Sequence, residues 1–135
     1  MMGKRIVHVG GHGMGISLKL VINSILAAAM VSFSEGIILG QALGVSREML
    51  FKVLLGGPVA APFLSMKKEK LEREEYEPEF SLQWMQKDLQ MTSMAAFEAG
   101  VPMPVSNVVK EIYRLAIRNG FGEKDFSSIY SFLKA

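Results

Sequence analysis

Lys19 and Asn23 stand four residues apart in the stretch GISLKLVINSIL. On a helix that spacing puts both side chains on one face. Their neighbours Leu18, Leu20, Val21, Ile22, Ile25 and Leu26 are apolar. Burial and the positive end of a helix dipole both act against a charged ammonium, so a lysine in a dry setting near a helix N-terminus suits proton transfer. A plainer arrangement satisfies the same residues: the lysine stem snorkels to water beside a buried, hydrogen-bonded asparagine. On residue chemistry alone the plainer arrangement is the better supported.

Other chemically suggestive residues carry less. Gly10, Gly11, Gly13 and Gly15 follow the strand-like run Lys4–Val9 and precede a helical pattern, which superficially resembles a dinucleotide turn. The spacing GGHGMG is not G-x-G-x-x-G, and no second strand ending near an acidic residue follows. A flexible connection into a long helix is the preferred reading. His8 and His12 are four apart but separated by glycines, with no carboxylate cluster beside them to complete a metal site. No metal site is expected. No Ser-His-Asp or Cys-His arrangement is legible.

The elements that must position Lys19 and Asn23 are helices. After the short stub around Ile6 to Val9 no alternating strand pattern recurs. A first helix is expected from Gly15 to about Leu43, ending at Gly44. Gly36, Gly40 and Gly44 would give it a bare stripe for close helix approach; each interior glycine costs about 1 kcal/mol against alanine. Ser46 is placed to cap a second helix, which Gly56-Gly57-Pro58 stops. A short third helix is expected between Ala60 and Glu75, with KKEKLEREEYE on its solvated side. Pro78 breaks the pattern, and Ser81 can cap a helix from Leu82 to Ala99, closed by Gly100. Val105 to Arg118 reads as the next helix, closed by Asn119-Gly120. Asp125 would cap a last one from Phe126 to Leu133. The expectation is an all-α domain: one long glycine-striped helix, about five shorter ones, and a strand-like stub.

Composition agrees with a folded domain and removes several functions. At 135 residues the chain is long enough for one domain with its own core. Half the residues are apolar and 21% are charged, which excludes a disordered tail. A formal net charge of +2 is too small, and too evenly mixed, to argue for nucleic acid. The chain has no cysteine, hence no intrachain disulfide and no thiolate chemistry. A cytoplasmic location is the default expectation, and no signal peptide is recognised at the start. The most apolar segment, Leu20 to Ser34, falls short of the roughly 20 residues that span a bilayer. It is expected to be a buried core helix, with no membrane partner. Ten methionines suggest an adaptable core.

The pattern G-x-x-G-x-G-x-x-x-K-x-x-x-N runs from Gly10 through Gly13, Gly15 and Lys19 to Asn23. It resembles the catalytic motif of the β-hydroxyacid dehydrogenases, whose members act on hydroxyisobutyrate, tartronate semialdehyde, glyoxylate and succinic semialdehyde. More distantly, 6-phosphogluconate dehydrogenase belongs to the same group. Further matching segments follow in order: FSEGIILGQALGV from Phe33, FSLQWMQKDLQM from Phe80, AFEAGVPMPV from Ala96 and GFGEKDFSSI from Gly120. The resemblance covers essentially the whole chain, and five ordered segments are far more specific than a lone K-x-x-x-N.

The resemblance implies that Lys19 is the general acid/base and that Asn23 binds substrate. It implies that Lys87 reaches the cofactor, NAD or NADP, and that Phe80 helps wall that site. Without the resemblance Lys87 reads as an exposed helix lysine. Asp125 and Phe126 look structural. By the same resemblance, the family's N-terminal Rossmann domain, which binds most of the cofactor, is expected to be missing from these residues. Residues 1–14 are read as the remnant of its last strand and connecting loop, and 15–135 as the helical catalytic and dimerisation domain. The implied partners are a small hydroxyacid or semialdehyde, the missing Rossmann domain, and a second copy in a homodimer or higher homo-oligomer. Alone, the fragment is expected to be inactive. The competing reading is a non-catalytic helical interaction domain that keeps the fold for dimerisation.

Overall fold

The computed structural model describes residues 13–135. The expected strand at Ile6 to Val9, most of the glycine-rich turn and the pair His8 and His12 lie outside the described residues. Within them the fold is all-helical: α1 Met14–Ala42, α2 Arg47–Leu55, α3 Phe63–Arg73, α4 Leu82–Ala99 and α5 Pro104–Arg118, then a 3-10 turn Phe126–Ser128 leading into α6 Ile129–Lys134.

Helix α1 runs 29 residues without proline, about 43 Å at 1.5 Å per residue. It packs against α2, α4, α5 and α6. Its inward face sets Ala27, Met30 and Ile37 into a core shared with Phe51, Leu64, Leu71, Leu82, Met85, Leu89, Tyr113, Ile129 and Tyr130. The opposite face does not match the expectation of a buried helix. Ile16, Leu18, Val21, Ile22, Ile25 and Leu39 are all about half exposed or more, and only 22% of the most apolar window of α1 is buried. By length and composition α1 could cross a bilayer.

The glycine stripe divides into three separate functions. At Gly40 a Cβ would meet the Leu50 methyls at 2.6 and 2.7 Å, so α2 does approach closely there. Gly36 faces open space instead. It lines a cleft of about 370 Å³ together with Ala29, Ser32, Phe33, Leu54, Val59, Ala60, Ala61 and Leu64. Gly44 ends the helix in the left-handed region at φ 96°, where Gly44 N–H donates to Gln41 O and Val45 N–H to Gly40 O. That is the double hydrogen bond of a Schellman terminus. Gly100 and Gly120 close α4 and α5 the same way.

Ser46 caps α2 as expected, its hydroxyl accepting from Met49 N–H at 3.1 Å. Ser81 does not cap α4: its hydroxyl is buried with no hydrogen-bond partner. The backbone of the 122–124 loop takes its place, Lys124 O accepting from Leu82 N–H at 2.8 Å and Gly122 O from Gln83 N–H at 2.9 Å.

The charged run KKEKLEREEYE is not a uniform solvated face. Lys67, Leu71 and Tyr76 are buried. Lys67 Nζ lies 3.0 Å from Asp125 Oδ2 and 2.8 Å from Glu79 Oε1. Asp125, fully buried, does more than cap the final turn. It accepts from Ser127 N–H and Oγ–H and from the backbone N–H groups of Glu79 and Phe80. Burial pushes its carboxyl up, but the Ser127 and Glu79 hydrogen bonds and the Lys67 ammonium outweigh that and hold it below the usual aspartate range.

Candidate functional site

Helix α4 runs antiparallel to α1, with Asp88 opposite Asn23 and Thr92 opposite Leu20. Leu82, Met85 and Leu89 give α4 its buried stripe, and Asp88 and Thr92 share it. The packing that buries the leucines therefore drives a carboxylate against α1.

Asp88 brings the two residues of the sequence pattern together. Asn23 Nδ2 donates to Asp88 Oδ2 at 2.7 Å, and Lys19 Nζ lies 3.5 Å from Asp88 Oδ1. The Asp88 side chain is 7% exposed and that of Lys19 54%. Thr92 Oγ bonds back to Asp88 O at 2.8 Å, one turn earlier on α4. The dry setting expected for Lys19 from its apolar neighbours is absent, because Leu18, Val21, Ile22 and Ile25 are exposed and the lysine is half in water. The buried partner is the carboxylate, which fixes the asparagine amide and draws the ammonium to it. Asn23 keeps its carbonyl oxygen and second N–H for a ligand, and Lys19 presents protons beside them.

Lys87 is exposed on α4, with Nζ 4.9 Å from the centroid of the Trp84 ring. Phe80 precedes α4, partly buried at the margin of the core, edge-on to Phe126 with centroids 6.5 Å apart. Lys87 thus shares α4 with the Asp88 group, whereas Phe80 is held by the Asp125 network. Among the described residues there is no cluster of three or more histidine, aspartate or glutamate side chains that could hold a metal.

Sequence reasoning passed over Asp88. The signal was available: it occupies the apolar stripe of α4, where an unpaired carboxylate would be costly. Its partners, however, lie 65 residues away for Asn23 and on another helix, beyond what local spacing reveals.

Residues 13–133 match the family described as NAD-binding of NADP-dependent 3-hydroxyisobutyrate dehydrogenase. By that description the matched family binds a nicotinamide cofactor, and the matched span takes in Lys19, Asn23 and Asp88. The chain belongs to the 3-hydroxyisobutyrate dehydrogenase family, and what it comprises is that family's helical domain. It is 33% identical over 135 residues to glyoxylate/succinic semialdehyde reductase 2, chloroplastic, of Arabidopsis thaliana, covering 100% of this chain and 38% of the relative. It is also 28% identical over 129 residues to cytokine-like nuclear factor N-PAC of Homo sapiens, covering 96% and 23% respectively. The solved structure of Mycobacterium tuberculosis 3-hydroxyisobutyrate dehydrogenase with L-serine matches at a TM-score of 0.83 and 25% identity, over 99% of this chain and 48% of that one. The chain spans less than half the length of each.

Proposed function

We propose that this chain is the proton-transferring half of an NAD(P)-dependent dehydrogenase that interconverts a small hydroxyacid and its semialdehyde or keto form. The observation that carries this is the convergence of Lys19 and Asn23 on one buried carboxylate, Asp88. The nicotinamide cofactor supplies or removes the hydride. Exposed Lys87 beside the Asp88 group suits it, offering a cation for a phosphate. In reduction Lys19 gives its proton to the carbonyl oxygen; in oxidation it takes the hydroxyl proton. Asn23, its amide fixed by Asp88, hydrogen-bonds the substrate and holds it against Lys19. Asp88 is a positioning residue that orients both.

The whole enzyme requires a cofactor-binding N-terminal domain, so this chain alone reduces neither glyoxylate nor succinic semialdehyde. A cytoplasmic location and a homodimer are part of this proposal, with the second copy covering the apolar face of α1 and α5. The exposed residues Ile25, Leu39, Val105 and Val108 favour this. The same face also supports a non-catalytic interaction domain as a second reading, since one relative is named as a nuclear factor.

The test is made in a full-length reductase carrying this domain. Lys19→Ala should lower kcat by about 10²–10⁴-fold, the usual contribution of general acid/base catalysis, with cofactor affinity nearly unchanged. Lys19→Arg should not rescue it, because guanidinium does not release its proton near neutral pH. Asp88→Asn keeps the shape but loses the charge, and should lower kcat while raising the substrate KM. Near-normal kcat in Lys19→Ala would sink the catalytic assignment and leave the snorkelling lysine.

A further inference from the structure

Among the described residues three buried side-chain oxygens have no hydrogen-bond partner: Ser81 Oγ, Tyr113 Oη and Ser128 Oγ. Tyr113 and Ser128 are fully buried. The three belong to different elements, the start of α4, α5 and the 3-10 turn, yet each is tied to Asp125. Ser81 stands directly opposite Asp125 in an antiparallel bridge. Leu82 N–H to Lys124 O and Phe126 N–H to Phe80 O bracket that pair. Such a pair is of the non-hydrogen-bonded kind, with both side chains close together on one side. Ser128 N–H donates to Asp125 O at 2.9 Å. Burial first, and then the negative charge of Asp125, hold the Tyr113 phenol above its usual range, so it keeps its proton and can donate. The Asp125 carboxylate is taken up by Lys67, Ser127 and the backbone N–H groups of Glu79 and Phe80, and serves none of the three hydroxyls.

We propose that Ser81, Tyr113 and Ser128 together bind one internal water molecule, buried between the start of α4, α5 and the 3-10 turn. Three unpaired hydroxyls in an interior are far more destabilising than the immobilisation of one water that satisfies them. A buried water typically makes about three hydrogen bonds, to polar groups that otherwise lack them. A metal cation fits the same oxygens less well, because Lys67 Nζ already lies 3.0 Å from Asp125 Oδ2 and balances its charge. The water extends the Asp125 junction to α5, which the direct hydrogen bonds of that carboxylate do not reach. Asp88 lies two turns along α4 from Ser81, about 10 Å at 1.5 Å per residue. The water therefore sits at the base of the helix that presents Asp88 to Lys19 and Asn23.

Oxygen-17 relaxation dispersion on the chain counts its long-lived internal waters. The wild type should hold one more than the double variant Tyr113→Phe/Ser128→Ala. Thermal unfolding gives a second readout, and its sign separates a bonded hydroxyl from an unpaired one. A phenol bonded to water loses that bond in Tyr113→Phe, so the melting temperature should fall by about 3 °C, and Ser128→Ala should act likewise. Because both act through the same water, the two changes should be non-additive in the double variant. An unpaired phenol is instead a group whose deletion relieves the fold, and Tyr113→Phe would then raise the melting temperature. A rise in either single variant, or equal water counts in the wild type and the double variant, would overturn the water site. Losses in both single variants that simply add would overturn its being one shared molecule.

Discussion

Asp125→Ala should be among the most damaging single changes in this domain. The carboxylate is fully buried, and its removal strips Lys67 of its buried partner while orphaning the backbone N–H groups of Glu79, Phe80 and Ser127. Breaking one side of a buried ion pair costs about 3–5 kcal/mol. An orphaned buried donor adds about 1–3 kcal/mol, but the four contacts share one carboxylate and do not add independently. A loss of about 4 kcal/mol is expected against a total of roughly 5–15 kcal/mol for a domain. At about 3 °C per kcal/mol for a chain of this size, the melting temperature falls by roughly 10–15 °C. Urea unfolding followed by circular dichroism measures it. Adding Lys67→Met to Asp125→Ala should restore part of the loss by removing the stranded charge. Glu79→Gln, at an exposed carboxylate, should cost far less. The pH dependence carries its own sign. Because the folded carboxyl is held below its usual value, its contribution is fully present above about pH 4, the unfolded range. It is lost as pH falls through the lower folded value, so the gap between wild type and Asp125→Ala should narrow in acid. A loss below about 1 kcal/mol at neutral pH would refute the view that this network secures the fold.

Two further expectations concern α1. Gly36→Ala should stabilise by about 1 kcal/mol, since a methyl there meets nothing within 4 Å and alanine is the better helix former. Gly40→Ala should show no such gain, because its methyl would strike Leu50 at 2.6 Å and overpacking offsets the propensity; equal effects at the two sites would contradict the α1–α2 approach. Light scattering at tens of micromolar should give a dimer, and a purely monomeric mass would count against the proposed pairing face.

The local signals in the sequence were readable because their physics is local. Gly44, Gly100 and Gly120 stop helices by adopting a conformation that other residues resist, and Ser46 caps with its own hydroxyl. The spacing of Lys19 and Asn23 needed only the helix period. What escaped was tertiary. Ser81 had the right residue type for a cap, but the 122–124 loop reached the α4 N-terminus first. Lys67 sat in a run whose other charged members mostly face water, and nothing nearby announced a buried aspartate 58 residues on. Asp88 was hidden for the same reason. The apolar residues around Lys19 also suggested a desolvated lysine, whereas most of them face outward and the buried member of the group is its carboxylate partner.

These two buried aspartates are linked through α4. Asp125 anchors the backbone at Glu79 and Phe80, immediately before α4, while Lys124 and Gly122 receive its first N–H groups. The start of α4 is thus fixed from two directions, and the helix carries that position inward to Asp88. A slip of one residue would move Asp88 by 1.5 Å along the axis and about 100° around it. Its carboxylate would then leave the face that meets Asn23 at 2.7 Å and Lys19 at 3.5 Å. The Lys67–Asp125 network touches neither residue of the proposed catalytic pair, yet it sets the register on which their common partner depends. Damage at Asp125 that stops short of unfolding should therefore reach the Lys19 group as misplacement of Asp88, with Lys19 itself chemically intact.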